Sequence, residues 1–282
     1  MSAKRYAIAI VAPGSRVEDF IPERVRPIVE RFGARAPELF FHPQCFLSSG
    51  HFAGEDSARA QAFIEVANDD RFDAVWVGRG GYGSCRIAEQ VLARLSPAAA
   101  RKVYMGYSDA GSLLAGLYKA GFKHIAHGPI PSDIKRTGGE AAVERALRYM
   151  LDRAPESLEP SLAVGKTAIA FNITILSHLL GTSLEPDLTD HVLMLEDVAE
   201  YMYRIDRALF HITNQLSIRR VAGIRLGRCS DIPPNDPEFG TDEEQVAKFW
   251  CDRAGIAYLG RADIGHDAAN KVVPFGSTIK LT

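Results

Sequence analysis

The sequence is short of the features that mark several large functional classes. Its four cysteines, Cys45, Cys85, Cys229 and Cys251, are widely spaced and form no C-x-x-C pair. That pattern argues against a disulfide framework and points to free thiols in a reducing cytoplasm. No apolar run approaches the length of a membrane span. Two basic residues, Lys4 and Arg5, precede an apolar stretch, as in a secretion signal, but that stretch is one strand long and ends at Pro13-Gly14 without an Ala-x-Ala site. A cytoplasmic protein is therefore expected. Charge of one sign is also lacking: 33 Lys and Arg face 35 Asp and Glu, for a net charge of −2. No electrostatic argument favours nucleic acid or an anionic membrane as partner. Internal repeats and low-complexity tracts are absent.

What is present is ordinary globular composition, 46% hydrophobic and 24% charged, over 282 residues. That length exceeds what one compact core usually serves, so two domains are expected. In the first half, apolar strand-like runs at 6–12, 39–42, 73–78, 102–106 and 125–127 alternate with helical spacing at 21–32, 57–68, 84–95 and 111–120. Such alternation predicts a parallel sheet covered on both faces, with reactive loops at the carboxyl ends of its strands. Beyond a further helix at 140–151, residues 154–160 are rich in Pro and Glu and lack an apolar period. The expected division is a Rossmann-like α/β domain over 1–153 and a smaller mixed α+β domain over 161–282. Strands are expected there at 161–169, 191–195 and 221–226, with helices at 172–180, 205–216 and 242–254.

Gly106-Tyr107-Ser108-Asp109 places a serine at the corner between a strand and a helix. A hydroxyl on such a turn is exposed for nucleophilic attack, and the next backbone N–H can face an oxyanion. The preceding strand leads into Gly78-Arg79-Gly80-Gly81-Tyr82-Gly83, which satisfies G-x-G-x-x-G and admits two readings. One is a dinucleotide site, and hence an oxidoreductase, with Asp109 reaching a ribose. Against it, the loop follows the third strand, whereas a dinucleotide fingerprint normally occupies the first turn. The other reading is close approach of backbone to a reacting group near Ser108. Of eight histidines, His178 and His211 fall within helices and His124 and His127 flank a strand. His266 lies in a polar loop after Gly265, a better setting for a base. Carboxylates gather at the end of the strand His191-Val-Leu-Met-Leu-Glu196-Asp197, with Glu200 shortly after. Glu196 is best placed to orient an imidazole.

These segments together resemble the LD-carboxypeptidases of serine peptidase family S66, which include the microcin C self-immunity hydrolases. The resemblance runs through Ile10-Val-Ala-Pro-Gly-Ser15, Arg79-Gly-Gly-Tyr-Gly83, Gly106-Tyr-Ser-Asp109 and Leu180-Gly-Thr182. It continues in Leu195-Glu-Asp-Val-Ala-Glu200, Tyr203-Arg-Ile-Asp-Arg207 and Gly265-His266, then Asn270 and Pro274-x-Gly276. It implies a triad across two domains: Ser108 as nucleophile, His266 as base and Glu196 as acid, with Glu200 as the fallback. Backbone N–H groups of Gly81 and Asp109 would form the oxyanion hole. Arg79 and Tyr82 are assigned to substrate contact, Arg79 holding a free carboxylate unless it forms a structural salt bridge. The resemblance further implies no cofactor and no metal, a small muropeptide-like substrate, and a homodimer. A peptide–nucleotide amidase with the same triad is the alternative. Ala170-Phe171-Asn172 departs from the usual Gly-Gly-Asn, and Phe171 is expected to narrow or reshape the substrate cleft.

Overall fold

The computed structural model describes residues 4–162 and 167–276. The first half contains β1 (Ala7–Val11), α1 (Ile21–Glu30), β2 (Glu38–Phe41), α2 (Asp56–Asn68), β3 (Ala74–Val77), α3 (Ser84–Leu92), β4 (Val103–Gly106), α4 (Gly111–Lys119) and β5 (Ile125–His127). β1, β3, β4 and β5 are buried along their whole length, as strands covered on both faces must be, which is why their sequences do not alternate. After α5 (Gly139–Asp152) come β6 (Ala168–Asn172), α6 (Ile173–Leu179), β7 (Val192–Val198), α7 (Met202–Asn214), β8 (Gly223–Ser230), α8 (Glu243–Ala254), β9 (Tyr258–Arg261) and β10 (Val273–Pro274). The strand expected over 161–169 begins only at Ala168, and residues 163–166 lie outside the described residues.

Two sheets result, of order β10-β5-β4-β3-β1-β2 and β6-β7-β8-β9. The first is parallel except for its edge strand β10, which pairs antiparallel with β5 through Val273↔His127. The second is parallel throughout, with a helix between each successive pair of strands, a more regular alternation than the sequence pattern suggested. Local signals explain the helix ends. Asp242 and Gln245 cap α8 reciprocally and Gly255, at φ 68°, closes it, while the Asn172 side chain accepts from Ile175 N to start α6. One apolar core joins the layers, with Leu113 and Leu117 of α4 in the same cluster as Phe171, Leu193 and Leu195. β10 returns the chain to the first sheet. Its two residues, one a proline, leave no alternating pattern to read.

Two loops at the carboxyl end of the first sheet pack backbone to backbone. A Cβ on Gly14 would lie 1.9 Å from the Gly81 carbonyl oxygen, and Ser15 N donates to Gly80 O at 3.2 Å. Gly14→Ala therefore forces these loops apart. Denaturant unfolding should show a loss of about 1–3 kcal/mol, the usual cost of overpacking; unchanged stability would mean that the loops do not need this contact.

Candidate active site

The corner after β4 is sharp because Ser108 adopts φ 61° before the short 3-10 turn Ser108–Ala110. For an L-residue this costs about 1–2 kcal/mol, and such strain gathers at functional positions. Small residues on either side permit the bend: a Cβ on Gly106 would lie 3.3 Å from that of Ala110. The glycine loop sits directly against the serine. A Cβ on Gly80 would come within 3.0 Å of Ser108 Cβ and 3.1 Å of its Oγ, so any side chain there would occupy the space beside the hydroxyl. Gly81 and Asp109 line the same cleft as Ser108, which encloses about 810 Å³. The buried Asp109 carboxylate accepts from Ser84 N at 2.7 Å. This carboxylate occupies the N-terminus of α3, where a dinucleotide pyrophosphate would have to bind.

Glu196 and His266 meet below this corner. The β7–β8 register shifts between Leu195 and Asp197, and a bulge of this kind re-aims the intervening side chain. Gly227 on β8 leaves the room, since its Cβ would fall 2.9 Å from Glu196 Cβ. Glu196 Oε2 bonds His266 Nδ1 at 2.5 Å with both side chains buried. Burial opposes an imidazolium, but the facing carboxylate outweighs it and holds the His266 pKa above the ordinary imidazole value. The outer nitrogen, Nε2, is buried with no hydrogen-bond partner among the described residues. The structure thus brings acid and imidazole together, while no hydrogen bond joins His266 to Ser108.

The His266 loop is held rigidly despite its glycine. Arg228 pairs with Asp263 at 2.6 Å and with Asp267, Arg145 donates to the carbonyls of Ala268 and Asn270, and Asn270 Oδ1 accepts from Gly265 N. Gly265 is needed for this packing, because its Cβ would lie 3.0 Å from that of Arg228. Tyr107, the neighbour of Ser108, packs on the imidazole with ring centroids 4.7 Å apart. Its phenol donates to Asp133 at 2.7 Å, and burial keeps it protonated. The His127 ring lies 5.5 Å from that of Tyr107, and burial depresses its pKa to about 3, so it stays neutral. Sequence reasoning missed Tyr107 and Asp133. Their only signal is position, one beside the serine and the other in the loop after β5.

The remaining expected residues divide between the cleft and contacts elsewhere. Tyr82 is exposed and lines the cleft. Arg79 turns away: its guanidinium donates to Arg16 O at 2.9 Å and pairs with Glu18 at 3.2 Å, and it does not line the cleft. Glu200 sits on the cleft rim beside Arg204, 3.4 Å away, with no bond to His266. Asp197 is spent internally, accepting from Asn172, from Thr174 and from Val198 N. Phe171 does not narrow the cleft. It is buried against Phe275, ring centroids 5.5 Å apart, under Gly111 of α4.

Residues 8–128 match the LD-carboxypeptidase N-terminal domain and residues 167–281 the LD-carboxypeptidase C-terminal domain. A Bacillus subtilis protein named "Probable murein peptide carboxypeptidase" is 30% identical over 242 residues, covering 81% of this chain and 74% of its own. Among solved structures, a muramoyltetrapeptide carboxypeptidase from Oxalobacter formigenes superposes with a TM-score of 0.78 at 24% identity, covering 95% of this chain and 93% of its own. MccF, solved with glutamyl sulfamoyl guanosine, gives 0.78 at 16% identity over 97% of this chain and 92% of its own. At these identities the two structures show a shared fold.

The geometry ranks the two carboxylates. Glu196→Gln is expected to lower hydrolytic turnover roughly a hundred- to ten-thousand-fold while the protein stays folded. Glu200→Gln, at the rim, should cost less than about tenfold on the same scale. A neutral imidazole is needed to accept a proton, so the acidic limb of kcat/KM should lie above the usual histidine value of about 6.5. Removing the carboxylate takes away the main opposition to burial, and the residual activity of Glu196→Gln should persist to lower pH. Equal losses in the two variants, or a limb that does not move, would contradict this ranking.

Proposed function

The chain belongs to the LD-carboxypeptidase family, and from that premise we propose that it is a serine carboxypeptidase cleaving the amide bond before a C-terminal D-amino acid of a murein tetrapeptide. The observation that carries the reading is the buried 2.5 Å bond between Glu196 and His266 Nδ1, which leaves Nε2 without a partner. Ser108 Oγ attacks the scissile carbonyl as its proton passes to His266 Nε2, the contact closing on substrate binding. Glu196 holds the Nδ1 proton and stabilises the imidazolium that forms. The tetrahedral oxyanion accepts from the backbone N–H groups of Gly81 and Asp109, the two cleft residues that flank Ser108. His266 then protonates the departing amine, and the same cycle run with water releases the acyl group from Ser108.

The reaction needs no cofactor or metal on this scheme. No described helix is long and apolar enough to cross a membrane, in keeping with a cytoplasmic role in recycling cell-wall peptides. A homodimer, as the family resemblance implies, belongs to the same reading. On this reading the nucleophile belongs to a domain over 1–153 and the acid and base to one over 161–282, and β10 of the second pairs with β5 of the first.

Mass spectrometry of products from a murein tetrapeptide and from matched L,D- and L,L-peptides tests the assignment. Loss of the terminal D-residue from L,D-peptides is expected, along with labelling of Ser108 by a fluorophosphonate that is abolished in Ser108→Ala and His266→Ala. Cleavage of L,L-peptides alone, cleavage of a peptidyl nucleotide alone, or full turnover by Ser108→Ala would overturn it.

A further inference from the structure

Among the described residues, the cleft that holds Ser108 has no lysine or arginine in its lining and carries Glu89 and Glu200. Arg79 is committed to Glu18. A substrate bearing several carboxylates therefore meets no described lysine or arginine within the cleft itself. The cleft continues, however, past Thr174, His178 and Glu200, which it shares with a neighbouring groove of about 400 Å³ between α6 and α7. Arg204, Arg207 and His211 line that groove from α7. Their spacing of three and four puts them on one helix face, opposite Ser177 and His178 of α6. The two arginines differ in what they already hold. Arg204 is paired with Glu200 at the junction. Arg207 makes no hydrogen bond or ion pair among the described residues, and its guanidinium lies 5.4 Å from the Tyr203 ring centroid. Such stacking leaves the guanidinium edge available to a bidentate anion. The motif Tyr203-Arg-Ile-Asp-Arg207, to which the catalytic scheme gives no part, supplies both arginines.

We propose that the α6–α7 groove is an anion subsite in which Arg207, flanked by His178 and His211, binds a carboxylate on the acyl side of the peptide substrate, upstream of the scissile bond. This deepens the peptidase reading and rests on it for the identity of the ligand. The groove lies outside the catalytic residues, so its contribution is to binding. Loss of one charge-assisted contact should raise KM roughly ten- to a hundred-fold and leave kcat within about twofold.

The test compares the intact protein with Arg207→Gln on two L,D-tetrapeptides identical except that the upstream acidic residue carries a free carboxylate in one and a primary amide in the other. Arg207→Gln should raise KM for the carboxylate peptide and leave the amide peptide unaffected. Equal behaviour of the two proteins on the carboxylate peptide, or equal losses on both peptides, would overturn the proposal. A binding arm separates this inference from the peptidase reading. The imidazole proton resonances of His178 and His211 are followed by NMR during titration with glutarate or with inorganic phosphate. Saturable shifts in the wild type that disappear in Arg207→Gln sustain the anion site even if no L,D-peptide is cleaved. Tighter binding of glutarate assigns it to a carboxylate. Tighter binding of phosphate overturns that assignment in favour of a phosphorylated ligand, and an absence of saturable shifts with either probe overturns the site altogether.

Discussion

Glu196 and His266 stand 70 residues apart in the chain and meet where both are shielded from water. Taking a carboxylate and an imidazolium out of solvent costs several kcal/mol per ion, and their attraction only approximately offsets it. The pair is therefore a poor source of stability and has to be held together by its surroundings. The bulge in β7 aims the carboxylate, Gly227 gives it space, and Arg228, Arg145 and Asn270 fix the loop on the other side. Losing His266 would strand a buried carboxylate, so β7 of the second sheet and the loop after β9 are tied to one another through this contact.

A complementary constraint acts on the serine side, and it is steric. Gly14, Gly80 and Gly106 each sit where a Cβ would strike a neighbour within 3.0 Å or less. Together they let three strand ends converge on Ser108 without filling the space around its hydroxyl. Asp109 then ties the serine corner to the start of α3, where the glycine loop ends. A loop that reads as a phosphate cradle thus has its helix terminus taken by a carboxylate of the same chain. Charge around the cleft is divided in a similar way: Glu89, Asp109, Asp197 and Glu200 line it, and Arg207, without an ion pair among the described residues, lies in the adjoining groove on α7.

Much of this was legible in the sequence because the relevant signals are local. The strand–turn–helix corner at Ser108, the carboxylates at the end of β7 and the histidine in a polar loop can each be read from a few adjacent residues. The elements of the first sheet follow from apolar runs separated by amphipathic helices. What was not legible depends on where side chains turn. Arg79 stands in the glycine loop, yet its guanidinium goes to Glu18, a partner 61 residues earlier that no spacing rule selects. Phe171 departs from the family pattern, but its ring fills the core against Phe275 and not the cleft. The support that Tyr107 gives His266, and the two-residue strand β10, arise only once the chain has closed on itself.

The most direct test of the central pair is the titration of His266 by NMR, followed through its imidazole resonances in the wild type and in Glu196→Gln. With the carboxylate present, the pKa should lie above the ordinary imidazole value of about 6.5, and in Glu196→Gln it should fall below that value as burial becomes the dominant influence. The same pKa in both proteins would contradict the pairing of Glu196 with His266 on which the proposed mechanism rests.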